Sequence, residues 1–229
     1  MVRRSASGSR QRKGTGLKGK GGARSPRSET AAADAPSSRE AILAAALTTF
    51  ARDGYDGASM PKIARLANVA PPLIHYYFGS KERLWHATIE HSLGELRREA
   101  DAIFAATRTL APLDRLRAML QVQAHFAARS PDHFAMIMAE ARSDSSRFEW
   151  VQQNFTSPLF EQVLAILGDA REQGAIRAVN LHHIAITLIG GILVNFTVMP
   201  HGLPDTAAAS AADDYCATLF ELLLGGIAA

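Results

Sequence analysis

From about residue 38 onward, apolar residues recur every three or four positions, and no stretch alternates in the manner of a strand. Ile42, Leu43, Ala46, Leu47 and Phe50 form the stripe of a first helix, with Ser37 or Ser38 as N-cap and Asp53-Gly54 as its end. Gly54 to Gly57 then reads as a turn. Ser59 is placed to cap a second helix that runs to about Ala67, and Pro61 falls in its first turn, where its missing N–H removes no helical bond. Asn68 tolerates the left-handed backbone of a tight turn, and Val69 can plug the angle between two helices. Pro71 and Pro72 start a third helix through Tyr77, with Ile74 and Phe78 as its core positions. A fourth begins after Gly79, with Ser80 as N-cap, Glu82 in the first turn, and Leu84, Trp85, Thr88, Ile89 and Leu93 in or beside one stripe. Helical patterns continue at about 95–107, 112–128, 131–142, 147–173, 181–199 and 207–224, and Pro158 should kink or divide the fourth of these. The expected class is all-α.

Residues 59–78, SMPKIARLANVAPPLIHYYF, therefore spell a short helix, a tight turn and a second short helix. Such a helix-turn-helix places its second helix in the major groove of DNA. Taken alone the spacing also fits a buried helical corner. The surrounding residues narrow the choice: Asp53-Gly54-Tyr55, Ala58-Ser59-Met60, Ile63-Ala64, Val69, Tyr76-Tyr77-Phe78, and Ser80-Lys81-Glu82 with Leu84. At these spacings residues 38 to about 90 closely resemble the N-terminal domain of TetR/AcrR-family transcriptional regulators. The resemblance implies a three-helix DNA-binding head at 38–90 and a larger helical effector-binding and dimerisation body at 91–229. It also implies phosphate contacts by Ser59 and its helix, a groove-facing set within residues 71–76, and a phosphate partner in Lys81.

The chemistry of the head is consistent with those roles. Ser59 offers a hydroxyl and a helix-terminal N–H, Lys62 and Lys81 offer charge, and His75, Tyr76 and Tyr77 can donate hydrogen bonds to phosphates or base edges. Tyr77 reads more readily than Tyr76 as a half-buried core residue. The chain departs from the common family pattern at Ala70, Pro71, Pro72 and Leu73, and no Arg or Lys occurs between Leu66 and Ser80. Bidentate Arg–guanine recognition by this helix is therefore excluded, and readout should rest on thymine-methyl contacts by Pro71, Pro72 and Leu73 together with DNA shape.

Charge adds a second element. The net charge of +3 over 229 residues conceals nine Lys and Arg against two acids before residue 36. Residues 1–37, almost devoid of large apolar side chains, read as a disordered basic tail, either a solvated leader or misassigned start, or an arm that neutralises phosphates or reaches into the minor groove. The single cysteine, Cys216, rules out an intrachain disulfide and fits a reducing, cytoplasmic setting. The longest uncharged run, Ile184 to Met199, contains Gly190, Gly191 and Asn195 and is too short and polar for a membrane span.

In the body, Ile184–Met199 is apolar all round, and Leu219, Phe220, Leu222, Leu223 and Leu224 close the chain. Two such helices per subunit could form a four-helix dimer interface through Ile189, Leu193, Phe196, Leu219, Leu222 and Leu223, with Gly190-Gly191 permitting close approach. The alternative is that they are the centre of a monomeric core. Phe104, Met119, His125, Phe126, Phe134, Met136, Met138, Trp150 and Phe155 are candidates to line a pocket for an apolar small-molecule effector. His182, His183, His201 and Asp205 do not make a metal site, and no nucleophile–base pair, phosphate loop or cofactor motif is present. The expected function is a homodimeric, ligand-responsive repressor of a double-stranded palindromic operator. Two other readings fit less of the chain: a helical-bundle enzyme or lipid carrier with an incidental helix-turn-helix, and an architectural DNA binder held on by its tail.

Overall fold

The computed structural model describes residues 37–142, 146–198, 208–224 and 226. The basic tail, His201, Asp205 and the side chains of Leu223 and Leu224 lie outside the described residues. Among the described residues the regular structure is helical: α1 Ser38–Gly57, α2 Met60–Leu66, α3 Pro71–Phe78, α4 Lys81–Ala106, α5 Pro112–Arg129, α6 Pro131–Ala141, α7 Ser146–Val151, α8 Ser157–Glu172, α9 Leu181–Leu193 and α10 Ala208–Leu219. Three π-helical turns, Gln152–Thr156, Val194–Val198 and Phe220–Leu224, extend α7, α9 and α10.

Local chemistry sets the ends of the head helices. Ser37 caps α1 in a reciprocal box: its hydroxyl accepts from the Glu40 N–H at 3.3 Å, while the Glu40 carboxylate accepts from the Ser37 N–H at 2.8 Å. Gly54 leaves helical geometry with φ 69°, which ends the regular part of α1 where the Asp53-Gly54 pair predicts. Asn68 has φ 55° in the turn between α2 and α3, and Gly79 has φ 73° between α3 and α4. The Ser80 hydroxyl accepts from the Arg83 N–H and caps α4.

These short helices hold together by burying one face each. Ile42, Leu43 and Phe50 of α1, Ile63 of α2, Ile74 of α3, and Leu84 and Trp85 of α4 are almost wholly inaccessible and form one core. Burying each such side chain contributes roughly 1.5–3 kcal/mol, enough to stabilise helices of seven and eight residues that would not persist alone. Phe78 completes the core at the end of α3.

One sequence expectation needs correction here. The fourth helix and the separate helix at 95–107 are one 26-residue helix, α4, which runs through position 90 from head into body. Gly94 does not break it, because the buried stripe of Ile89, Leu93, Leu96 and Ala100 continues on both sides and outweighs the roughly 1 kcal/mol that glycine costs in a helix interior. Pro158 divides the 147–173 pattern as expected: it sits in the first turn of α8, directly after the π-helical turn that separates α8 from α7. Proline cannot bond back to the Asn154 carbonyl, and that oxygen instead accepts from Arg97 Nη1 of α4 at 2.9 Å. The strain is absorbed by a change of helical register and a side-chain donor from a neighbour.

The described residues belong to one compact unit, so head and body share packing. The main joint is α1 against α6, with the Thr48 hydroxyl donating to Asp132 at 3.1 Å. No described helix is long and apolar enough to cross a membrane.

Candidate nucleic-acid interface and body cavity

α3 has two distinct faces. Ile74 and Phe78 point into the core, whereas Pro71, Pro72, His75, Tyr76 and Tyr77 are exposed. Tyr76 is 81% exposed and Tyr77 41%, so Tyr77 is a surface residue and not the half-buried core residue its position suggests. The two rings meet edge to face at 5.3 Å, which sets them as a pair on the outer face. Leu73 is half-buried, and His75 Nδ1 lies 3.3 Å from the Gly79 carbonyl at the end of the helix.

Ser59 takes the cap position of α2 with an extended backbone, yet its hydroxyl makes no capping bond and remains exposed. The cations are placed differently from expectation. Lys62 Nζ donates to Asp53 at 2.6 Å, and together with Arg52 this bond holds the Asp53 carboxyl below its usual range. Lys81 lies over the Tyr55 ring at 4.5 Å and donates to the Asp56 carbonyl at 3.3 Å. Arg65 and Arg83 are exposed and form no ion pair among the described residues. Sequence reasoning passed over both. Arg65 could have been found three residues beyond Lys62 on the same short helix.

The body holds a half-open cavity of about 380 Å³ between α4, α5, α6, α7, the following π-helical turn, α8 and α9. Of the effector-pocket candidates, Phe134 and Met138 line it. Met119 and Phe126 are buried in the core, with Phe126 stacked on His133 at 4.8 Å. Met136 is likewise core. Phe104 lies beneath the Arg115 guanidinium, and His125 pairs with Asp213 at 2.8 Å. Trp150 packs between His86 and Phe155, its ring centroid 4.4 Å from the former. These residues have large apolar surfaces, and neighbouring helices cover them.

Two residues assigned to the dimer interface, Ile189 and Leu193, line the cavity and are half-buried. Phe196 is buried against Tyr215, Leu219 is half-buried, and Leu222 is exposed. A Cβ at Gly191 would lie 3.0 Å from the Tyr215 hydroxyl, so the close approach at this glycine is made by α10 of the same chain. Gly190 has open space above it.

A three-helix unit with a solvent-facing second helix and a buried reverse face defines the helix-turn-helix class of DNA-binding proteins. Residues 42–88 match the sequence family described as bacterial regulatory proteins, tetR family. The match covers the helix-turn-helix head and stops short of the body.

The HTH-type transcriptional regulator BetI of Rhizobium meliloti is 38% identical over 118 residues, covering 52% of this chain and 57% of that protein. BetI of Agrobacterium fabrum is 38% identical over 104 residues, covering 45% of this chain and 50% of its own. The chain thus spans about half the length of the curated relatives it matches. Among solved structures, the ketosteroid transcriptional regulator KstR2 of Mycobacterium tuberculosis superposes with a TM-score of 0.71 at 21% identity, covering 85% of this chain and 97% of that one. The TetR family regulator PfmR of Thermus thermophilus gives 0.64 at 20% identity, over 81% and 96% of the two chains. These likenesses show the fold over the 81% and 85% of the chain that they cover.

Proposed function

We propose that the protein is a ligand-responsive transcriptional repressor that binds a palindromic double-stranded operator as a homodimer and releases it when a small apolar effector enters the body cavity. The observation that carries this reading is the outer face of α3, where Pro71, Pro72, His75 and Tyr76 are exposed on a helix whose other face is core. Protein surfaces rarely present such an aromatic helix face without a partner. Pro71, Pro72 and Leu73 meet thymine methyls, while His75, Tyr76 and Tyr77 hydrogen-bond to base edges and phosphates. Ser59 with its free hydroxyl, Lys62, Lys81 and the unpaired Arg65 supply phosphate contacts.

A path for the effector signal is supported by packing. α6 contributes Phe134 and Met138 to the cavity and also packs on α1. Beyond it, Glu140 of α6 holds Arg147 of α7 at 2.8 Å, and Arg147 stacks over Tyr55 at 3.7 Å, the ring that also carries Lys81. An effector that prefers the arrangement of α6 and α7 found off DNA would therefore shift the head, and only that difference in affinity can do so.

Selection of binding sites from random DNA tests the reading. It should return a palindrome with half-sites one turn apart, about 34–36 Å, and no strict guanines opposite residues 71–76. Tyr76→Ala should weaken the selected operator about tenfold while leaving the circular dichroism spectrum unchanged. Recovery of no preferred sequence would refute it.

A further inference from the structure

The effector cavity has apolar walls, among them Leu96, Phe134, Ile137, Leu159 and Leu193; of its polar lining, Gln152, Ser157 and Glu161 are exposed and Thr156 is half-buried, whereas Gln123 is buried within α5. Gln123 is 5% exposed, and its amide nitrogen Nε2 has no hydrogen-bond partner. It occupies a position in the buried stripe of α5, after Leu116, Met119 and Leu120, where the pattern asks for an apolar residue. Leucine there would complete the core without burying an unpaired donor. Leaving such a donor unpaired lowers stability, and a ligand acceptor would remove that penalty on binding.

Charge narrows the ligand further. Among the described residues that line the cavity, Glu161 is the sole ionisable one, and it is exposed. No cation lines the wall to neutralise a carboxylate or phosphate, and an exposed carboxylate gives a cationic ligand little compensation for leaving water. We infer that the cavity takes an uncharged, largely apolar molecule bearing one hydrogen-bond acceptor, a ketone, ester or alcohol oxygen, which accepts from Gln123 Nε2. This rests on the cavity being the effector site, and adds the chemistry of what enters it.

Titration calorimetry on the full-length protein with three probes of one chain length, 2-decanone, decanoate and decylammonium, tests the inference. The ketone should bind once per chain, at least about tenfold more tightly than either ion. Gln123→Met, close in shape but without the amide, should weaken the ketone about five- to tenfold, the loss expected of one buried hydrogen bond. Decanoate binding as tightly as the ketone, or an unchanged ketone affinity in Gln123→Met, would overturn the assignment of the ligand while leaving the cavity as the effector site. Met138→Trp, which fills the cavity from its wall, should abolish ketone binding while leaving the circular dichroism spectrum unchanged. Ketone binding that survives this variant would remove the cavity itself as the site, and absence of ketone binding in the unaltered protein would overturn the inference outright.

Discussion

His133 lies in α6 at the joint with the head, 8% exposed, stacked on Phe126, and its Nδ1 has no hydrogen-bond partner. Burial lowers its pKa from 6.5 to about 4, with Asp132 opposing the shift and His91 and Arg129 adding to it. The folded protein therefore holds this ring neutral where the unfolded chain would protonate it. The stabilisation is complete above the unfolded value of 6.5 and is lost as pH falls towards about 4. A shift of this size corresponds to on the order of 3 kcal/mol. Urea unfolding at pH 7 and at pH 4.5 should show that His133→Leu loses markedly less stability over this interval than the unaltered chain. Neither the burial nor the missing partner was legible from sequence, where His133 is one polar residue at the start of an apolar helix. Both depend on α1 and α5 closing over it.

At the scale of elements, the head was legible almost residue by residue. Capping Ser37 and Ser80, left-handed Asn68, and Gly54 and Gly79 are local choices whose physics reaches only a few positions along the chain. The break inferred near residue 94 failed because it weighed a local glycine without the continuous buried face of α4 on either side. The same glycine permits a test. A Cβ at Gly94 would meet nothing nearer than the flexible tip of Arg98 at 3.5 Å, so alanine fits without displacement. Gly94→Ala should stabilise the protein by about 0.5–1 kcal/mol, raising the melting temperature by roughly 1–4 °C in a thermal scan.

For the whole molecule, the apolar character of the last two long helices predicted an interface, and among the described residues chosen for it Leu222 is the one that is largely exposed. Ile189 and Leu193 line the cavity and Phe196 is core, whereas Ile186, Val194 and Leu222 are 59%, 50% and 73% exposed. The dimer surface we propose passes through these exposed positions, because apolar side chains there lose water only when a second subunit covers them. Ile186→Arg with Leu222→Arg should give a folded monomer in sedimentation at micromolar concentration and a large loss of operator affinity, since each half-site then binds alone. A stable dimer in that double variant would move the interface elsewhere.

The sequence by itself determined the helical class, the caps and turns of the head, and the split of α3 between a core face and an outer face. Each follows from periodicity or backbone preference over a few residues. Only the tertiary structure decided where Lys62 and Lys81 direct their charge, which aromatic residues face a cavity and which are covered, and that α10 fills the space above Gly191. Those outcomes depend on residues distant in sequence. The pattern of one helix specifies which side is apolar, but not whether a neighbouring helix, a cavity or another subunit will cover it.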